Sequence, residues 1–200
     1  VFTFLNPKKV NASDNEYRTD LSGAKILVDV GHGGKDCGAV HNGVKESAVN
    51  LKLAYKIKAE LEKTGAKVIM TRTTDTIGSC DEKIAIIKRE KPDFCVAVHH
   101  DSSSDGGKKG FGSYYSNVFS KRAAERILAQ TENSVSVYSG SEFTFKWHYY
   151  FMCRQTVCPV VLTENGYMSN SADLAAITND AANTEKAKAI TRGIVDYFNY

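Results

Sequence analysis

The chain has 200 residues, 42% hydrophobic and 24% charged, with a formal net charge of +3 from 26 basic and 23 acidic side chains. These proportions are those of ordinary globular proteins and exclude wholesale disorder and collagen-like repeats; the length suits one domain with its own core. The small, interspersed basic excess argues against nucleic acid, and no apolar run approaches the roughly 18 residues of a membrane span.

Residues 1–23 are polar and irregular, end at Ser22-Gly23, and read as an N-terminal arm or edge element. The chain opens Val1-Phe2-Thr3-Phe4-Leu5 without Met or a basic-then-apolar leader, as a mature or trimmed fragment would. Lys25-Ile26-Leu27-Val28-Asp29-Val30 is a short β-branched run that suits a buried strand. Over residues 47–64, Val49, Leu53, Ile57 and Leu61 recur four apart and line one face of a helix, and Gly65 stands where its C-cap belongs. Lys67–Met70 is the next strand. Ile84 and Ile87 mark a short helix that Pro92 ends. Phe94–Val98 is again a buried strand, and residues 120–132 are helical by Ala123, Ala124, Ile127 and Leu128. Pro159–Leu162 is a strand with its proline at the tolerated first position. Ala187, Ile190, Ile194 and Phe198 give the last helix its stripe. Strands alternating with helices predict an α/β fold: one domain over 24–200, a mostly parallel twisted sheet with helices on both faces.

Ligand sites in open α/β sheets form beyond the carboxyl ends of the strands. There the chain places Gly31-His32-Gly33-Gly34 after the first strand, His99-His100-Asp101 after the third and Glu164-Asn165-Gly166 after the fourth. Glu46 heads the long helix. Two imidazoles and a carboxylate with an open position make a common catalytic zinc set, and a further carboxylate can serve as general base. Each residue also has a plainer role: His32 as a turn residue, Glu46 as a complement to the helix dipole. His99 and Glu164 end apolar strands, where an unpartnered imidazole or carboxylate is costly. The glycines at 31, 33, 34 and 38 miss the dinucleotide spacing GxGxxG. His100 points away from His99 if its strand continues, and acts then as a supporting or structural residue. His41 and His148 lack a spacing argument and are expected at the surface, and Cys37 is expected to pack in its turn. The five cysteines (37, 80, 95, 153, 158) are odd in number with no CxxC, so no disulfide framework is expected.

Several ordered pieces carry a family resemblance: Val28–Ala39 (VDVGHGGKDCGA), Lys45-Glu46, Val68–Asp75 (VIMTRTTD), Asp93–His99 (DFCVAVH) and Pro159–Asn170 (PVVLTENGYMSN). Together, over residues 25–200, they resemble the zinc-dependent N-acetylmuramoyl-L-alanine amidases of bacterial cell walls, the amidase-3 family. The resemblance implies one zinc held by His32, Glu46 and His99, with Glu164 as the catalytic glutamate. It implies peptidoglycan as substrate, cut between N-acetylmuramic acid and L-alanine, and action outside the cell at the wall. A monomer without nucleic-acid partners is expected.

The chain departs from the family pattern at His100-Asp101, where a small residue and Asn are usual, and at Lys83, where Arg is common. It departs again at Phe143–Phe151, an aromatic cluster in place of an Arg-Gly stretch, which either packs in the core or lines a glycan groove. That segment is short, so an open groove is expected. Two other functions remain: another zinc peptidase or amidohydrolase acting on wall peptides, although HExxH is absent, and an inactive wall-binding module.

Overall fold

The computed structural model describes residues 19–76, 78–131, 134–139 and 151–199. Strand β1 (Lys25–Val30) buries Ile26 to Val30 completely. A two-strand hairpin comes next, β2 (Val40–His41) and β3 (Val44–Lys45), turning on Asn42 and Gly43, both at positive φ. An Asn-Gly pair is the sequence signal for such a turn. Helix α1 (Glu46–Lys63) starts directly after it and buries Val49, Leu53, Ala54, Ile57 and Leu61. Its first amide groups have no side-chain cap; the preceding loop serves instead, with Glu46 N–H donating to Ala39 O (2.8 Å) and Ser47 N–H to Cys37 O (3.1 Å). Gly65, at φ +83°, succeeds the helix end as predicted.

Next come β4 (Lys67–Met70), α2 (Cys80–Glu90) and β5 (Phe94–Asp101). Ser79 and Glu82 close a capping box on α2, and Lys91 ends it in the left-handed region. The chain continues through β6 (Phe111–Tyr115), α3 (Lys121–Gln130), β7 (Ser134–Ser139), the short α4 (Phe151–Arg154), β8 (Val160–Tyr167), α5 (Ser171–Thr178) and α6 (Asp180–Phe198).

The six strands pair in the order β4-β1-β5-β8-β6-β7. Only β6 against β8 is antiparallel among these pairings, so the predicted mostly parallel sheet is what forms. Helices cover both faces. Leu53 and Ile57 of α1, Ile127 of α3 and Ile190 and Ile194 of α6 pack on Ile26, Val28, Phe94, Val96 and Val98. On the other face Ile87 of α2 and Met152 and Cys153 of α4 meet Leu27, Cys95, Ala97 and Leu162. The alternation along β5, with 94, 96 and 98 to one side and 95 and 97 to the other, is the two-residue period of a strand buried on both faces.

Two strands run further than their apolar cores predict. β5 continues through His99 and His100 to Asp101, and β8 through Glu164 to Tyr167. His99 and Glu164 therefore stand on the strands rather than in loops beyond them. Strands β6 and β7, helices α4 and α5 and the hairpin are additions that the hydrophobic pattern does not announce. At the near edge of the predicted arm, Leu21 is buried in the core and its N–H donates to Thr64 O (2.7 Å). His148 and residues 143–150 of the aromatic cluster lie outside the described residues. All five cysteines are free, and Cys37 is half-buried in its turn. No described helix is long and apolar enough to cross a membrane.

Candidate metal centre

Strands β1, β5 and β8 are neighbours in the sheet, so the residues at and just beyond their carboxyl ends converge. Across β5 and β8 the register pairs His99 with Glu164. In parallel strands paired residues point to the same face, about 4.8 Å apart. His32 comes from the turn after β1, and Glu46 from the first residue of α1, which the Asn42-Gly43 hairpin returns to that turn.

One donor atom each from His32, Glu46 and His99 lies within 4.8 Å of the others. Glu46 Oε1 is the hub, 3.2 Å from His32 Nε2 and 3.2 Å from His99 Nδ1. For bond lengths of 2.0–2.1 Å, the edge of a tetrahedral zinc shell is about 3.3 Å. The donor set therefore fits zinc in identity, and its two Glu46–histidine edges fit in spacing. His32 cannot offer its other nitrogen, because Nδ1 is held by Asp36 Oδ2 at 2.8 Å. A carboxylate behind an imidazole fixes its tautomer and ring plane.

The surrounding chain shapes this cluster. His32 has φ +57°, a left-handed conformation that a non-glycine residue adopts at a cost of about 1–3 kcal/mol. Buried side chains hold that turn in place. Arg72 donates to Gly31 O (2.9 Å), Asn50 to the same oxygen (3.2 Å), and Lys83 to Val30 O (3.1 Å). Gly38, at φ +63°, leaves room that a Cβ would fill at 2.4 Å from Glu46 Oε2 and 2.7 Å from the His32 ring. Ala39 N–H donates to that Oε2 at 3.0 Å.

Electrostatics reflect the crowding. Burial opposes ionisation of Glu46, but hydrogen bonds and charges of His32 and His99 outweigh it and hold the carboxyl well below its ordinary range. Burial likewise pulls His32 down, and Glu46 and Asp36 prevail to raise it. Glu164 is the opposite case. Burial, then the charges of Glu46 and Asp101, push it well above the usual carboxylate value, and its Oε2 has no hydrogen-bond partner among the described residues. Such a group waits for a proton or a cation.

These residues line a cavity of about 540 Å³, with His32, Glu46, His99, His100, Asp101 and Glu164 in its wall. All four sequence-predicted residues are thus brought together. His100 faces away from the cluster's centre, toward α1, as alternation requires: its Nδ1 lies 2.7 Å from Asn50 Oδ1. Burial drives its pKa down to about 3. His41 is only half-exposed, 2.9 Å from Ser102 Oγ. Sequence reasoning missed Asn50. Its signal was a polar residue four after Glu46, on the otherwise apolar inner stripe of α1.

Comparison with known proteins places the chain and its fold among relatives. Residues 26–196 match the family described as N-acetylmuramoyl-L-alanine amidase. The N-acetylmuramoyl-L-alanine amidase LytC of Bacillus subtilis is 25% identical over 92% of this chain, which spans 37% of that protein. The probable cell wall amidase LytH of Staphylococcus saprophyticus is 32% identical over 95% of the chain, 64% of its own length. This chain therefore spans less than two thirds of either relative. Among solved structures, the catalytic domain of the amidase CwlV from Paenibacillus polymyxa superposes with a TM-score of 0.78 at 26% identity, covering 88% of this chain and 98% of that domain.

Proposed function

Since the chain belongs to the N-acetylmuramoyl-L-alanine amidase family, we propose that it hydrolyses the amide joining the lactyl group of N-acetylmuramic acid to L-alanine in peptidoglycan. The observation that carries this reading is the convergence of His32, Glu46 and His99 donor atoms in the cavity that Glu164 also lines. His32 through Nε2, Glu46 through Oε1 and His99 through Nδ1 would hold one zinc ion. The chemistry a zinc ion would supply there is a bound water acidified to a pKa of roughly 7 and a polarised scissile carbonyl.

The remaining chemistry falls to this chain's side chains. Glu164 accepts a proton from the attacking water and returns it to the nitrogen of L-alanine, which must be protonated to leave. A carboxylate whose pKa is raised by burial, Glu46 and Asp101 suits a group that must hold a proton as well as release one. Asp36 holds His32 in the tautomer that frees Nε2. The protein acts as a monomer at the cell wall, outside the cell, where its substrate lies.

Digestion of purified peptidoglycan, read by mass spectrometry, tests the reading. Intact stem peptides with a free L-alanine amine, beside glycan chains stripped of peptide, are expected. Cleavage within the stem instead would make the protein a peptidase. No cleavage by a zinc-loaded protein would leave a binding module.

A further inference from the structure

Glu46 Oε1 is contacted from behind by two groups that belong to one small network. Asn50 Nδ2 donates to it at 3.2 Å, and the backbone N–H of His100 donates to it at 3.2 Å. Asn50 Nδ2 also donates to Gly31 O at 3.2 Å, the carbonyl just before His32. With two oxygens facing its amide nitrogen, Asn50 has only one orientation available, so Oδ1 turns away from the site. There it meets His100 Nδ1 at 2.7 Å. An amide oxygen can only accept, so Nδ1 carries the proton. Both side chains are buried, Asn50 fully and His100 to within 2%.

We infer that His100 and Asn50 are a positioning pair that aims Glu46 Oε1, and through Gly31 the His32 turn, at the metal. The inference rests on the reading of His32, Glu46 and His99 as zinc ligands. His100 reaches Glu46 twice, once through its own backbone N–H and once through Asn50, so one residue beside His99 fixes a ligand on another element. Supporting shells of this kind are commonly worth 10- to 100-fold in metal affinity.

The other ring nitrogen makes the assignment specific. His100 Nε2 is buried and has no partner among the described residues. The pair needs only the Nδ1–H donor. Asparagine places an N–H near the Nδ1 position of histidine, whereas glutamine places one near Nε2.

The test is zinc affinity, measured by chelator competition on the full chain. H100N is expected to bind zinc within about 3-fold of the parent, and H100Q at least about 10-fold more weakly, in the range for supporting residues. A generic packing role would not separate two polar variants in that order. Equal affinities in H100Q and the parent, or equal losses in both variants, overturn the inference. A parent that takes up no zinc overturns the ligand reading itself, and this inference with it. If H100Q does not fold, the imidazole nitrogen shifts of the metal-free parent decide. An Nδ1–H tautomer supports the pair, and an Nε2–H tautomer overturns it.

Discussion

Glu46 holds the donor cluster together, because its Oε1 stands 3.2 Å from each histidine while Oε2 is tied to the Ala39 amide. Glu164 shares the cavity but lacks any partner on Oε2 among the described residues. The two glutamates should therefore fail differently. E46Q replaces a charged ligand with a neutral one, so zinc affinity falls first and added zinc restores part of the rate. E164Q keeps its shape but cannot accept a proton; kcat should drop by about 10²- to 10⁴-fold with zinc still bound. A zinc titration of both variants separates them, and rescue of E164Q by excess zinc would exchange the roles. His99→Ala should lose the metal outright, as a three-ligand shell does when one member goes; full zinc occupancy in that variant would remove His99 from the set. His32, His99 and Glu164 were legible as candidates because their chemistry is expensive where the sequence puts them, at the ends of apolar strands and in a glycine-rich turn. Glu46 stood out only by its place at the head of the long helix and by the family resemblance. Asn50 and Asp36 were not legible. Each works through a neighbour's ring or carboxylate, and only the folded chain shows that neighbour.

Helix periodicity and continuous apolar runs were strong enough to place α1, β1 and β5 within a few residues, and to find α6 by the stripe of its C-terminal two thirds. Strands β6 and β7 gave no such signal. Phe111-Gly112-Ser113-Tyr114-Tyr115 mixes small, polar and aromatic residues, and it becomes a strand by pairing with β8 rather than by propensity. The ends of β5 and β8 were hidden because polar residues there mimic loops. Helix crossings were equally hidden. Gly193 of α6 lies against α3 so closely that a Cβ would stand 2.4 Å from Ile127 Cα and 2.8 Å from its amide nitrogen. Backbone cannot yield as a side chain can. G193A should therefore lower stability by about 1–3 kcal/mol, although alanine is the better helix former. Urea denaturation checks this, and a midpoint raised by the substitution would show that the crossing has slack.

Beneath the site the molecule carries a buried ion pair, Lys83 Nζ to Asp29 Oδ1 at 2.9 Å, with Thr71 donating to the same oxygen at 2.8 Å. Burial opposes the Asp29 charge, and Lys83 overcomes it, so the carboxyl sits below its ordinary value. Its contribution is complete above about pH 4 and is lost as pH falls through that lowered pKa. K83M leaves a lone buried carboxylate, a cost of about 3–5 kcal/mol at pH 7. Asp29 in that variant gains a raised pKa, so the deficit should shrink on acidification toward pH 4. A gap between parent and variant that stays constant from pH 7 to 4 would sink this account. The pairing of His99 with Glu164 across β5 and β8 has a different consequence, one for evolution and engineering. The spacing between His99 and Glu164 is set by the inter-strand repeat, and no loop enters into it. Rim loops other than the 31–39 turn, which supplies His32 and holds Glu46, can therefore be lengthened, shortened or grafted from relatives without altering that spacing. A single-residue slip of β8 would bring Thr163 or Asn165 opposite His99 and take the carboxylate out of the cavity altogether.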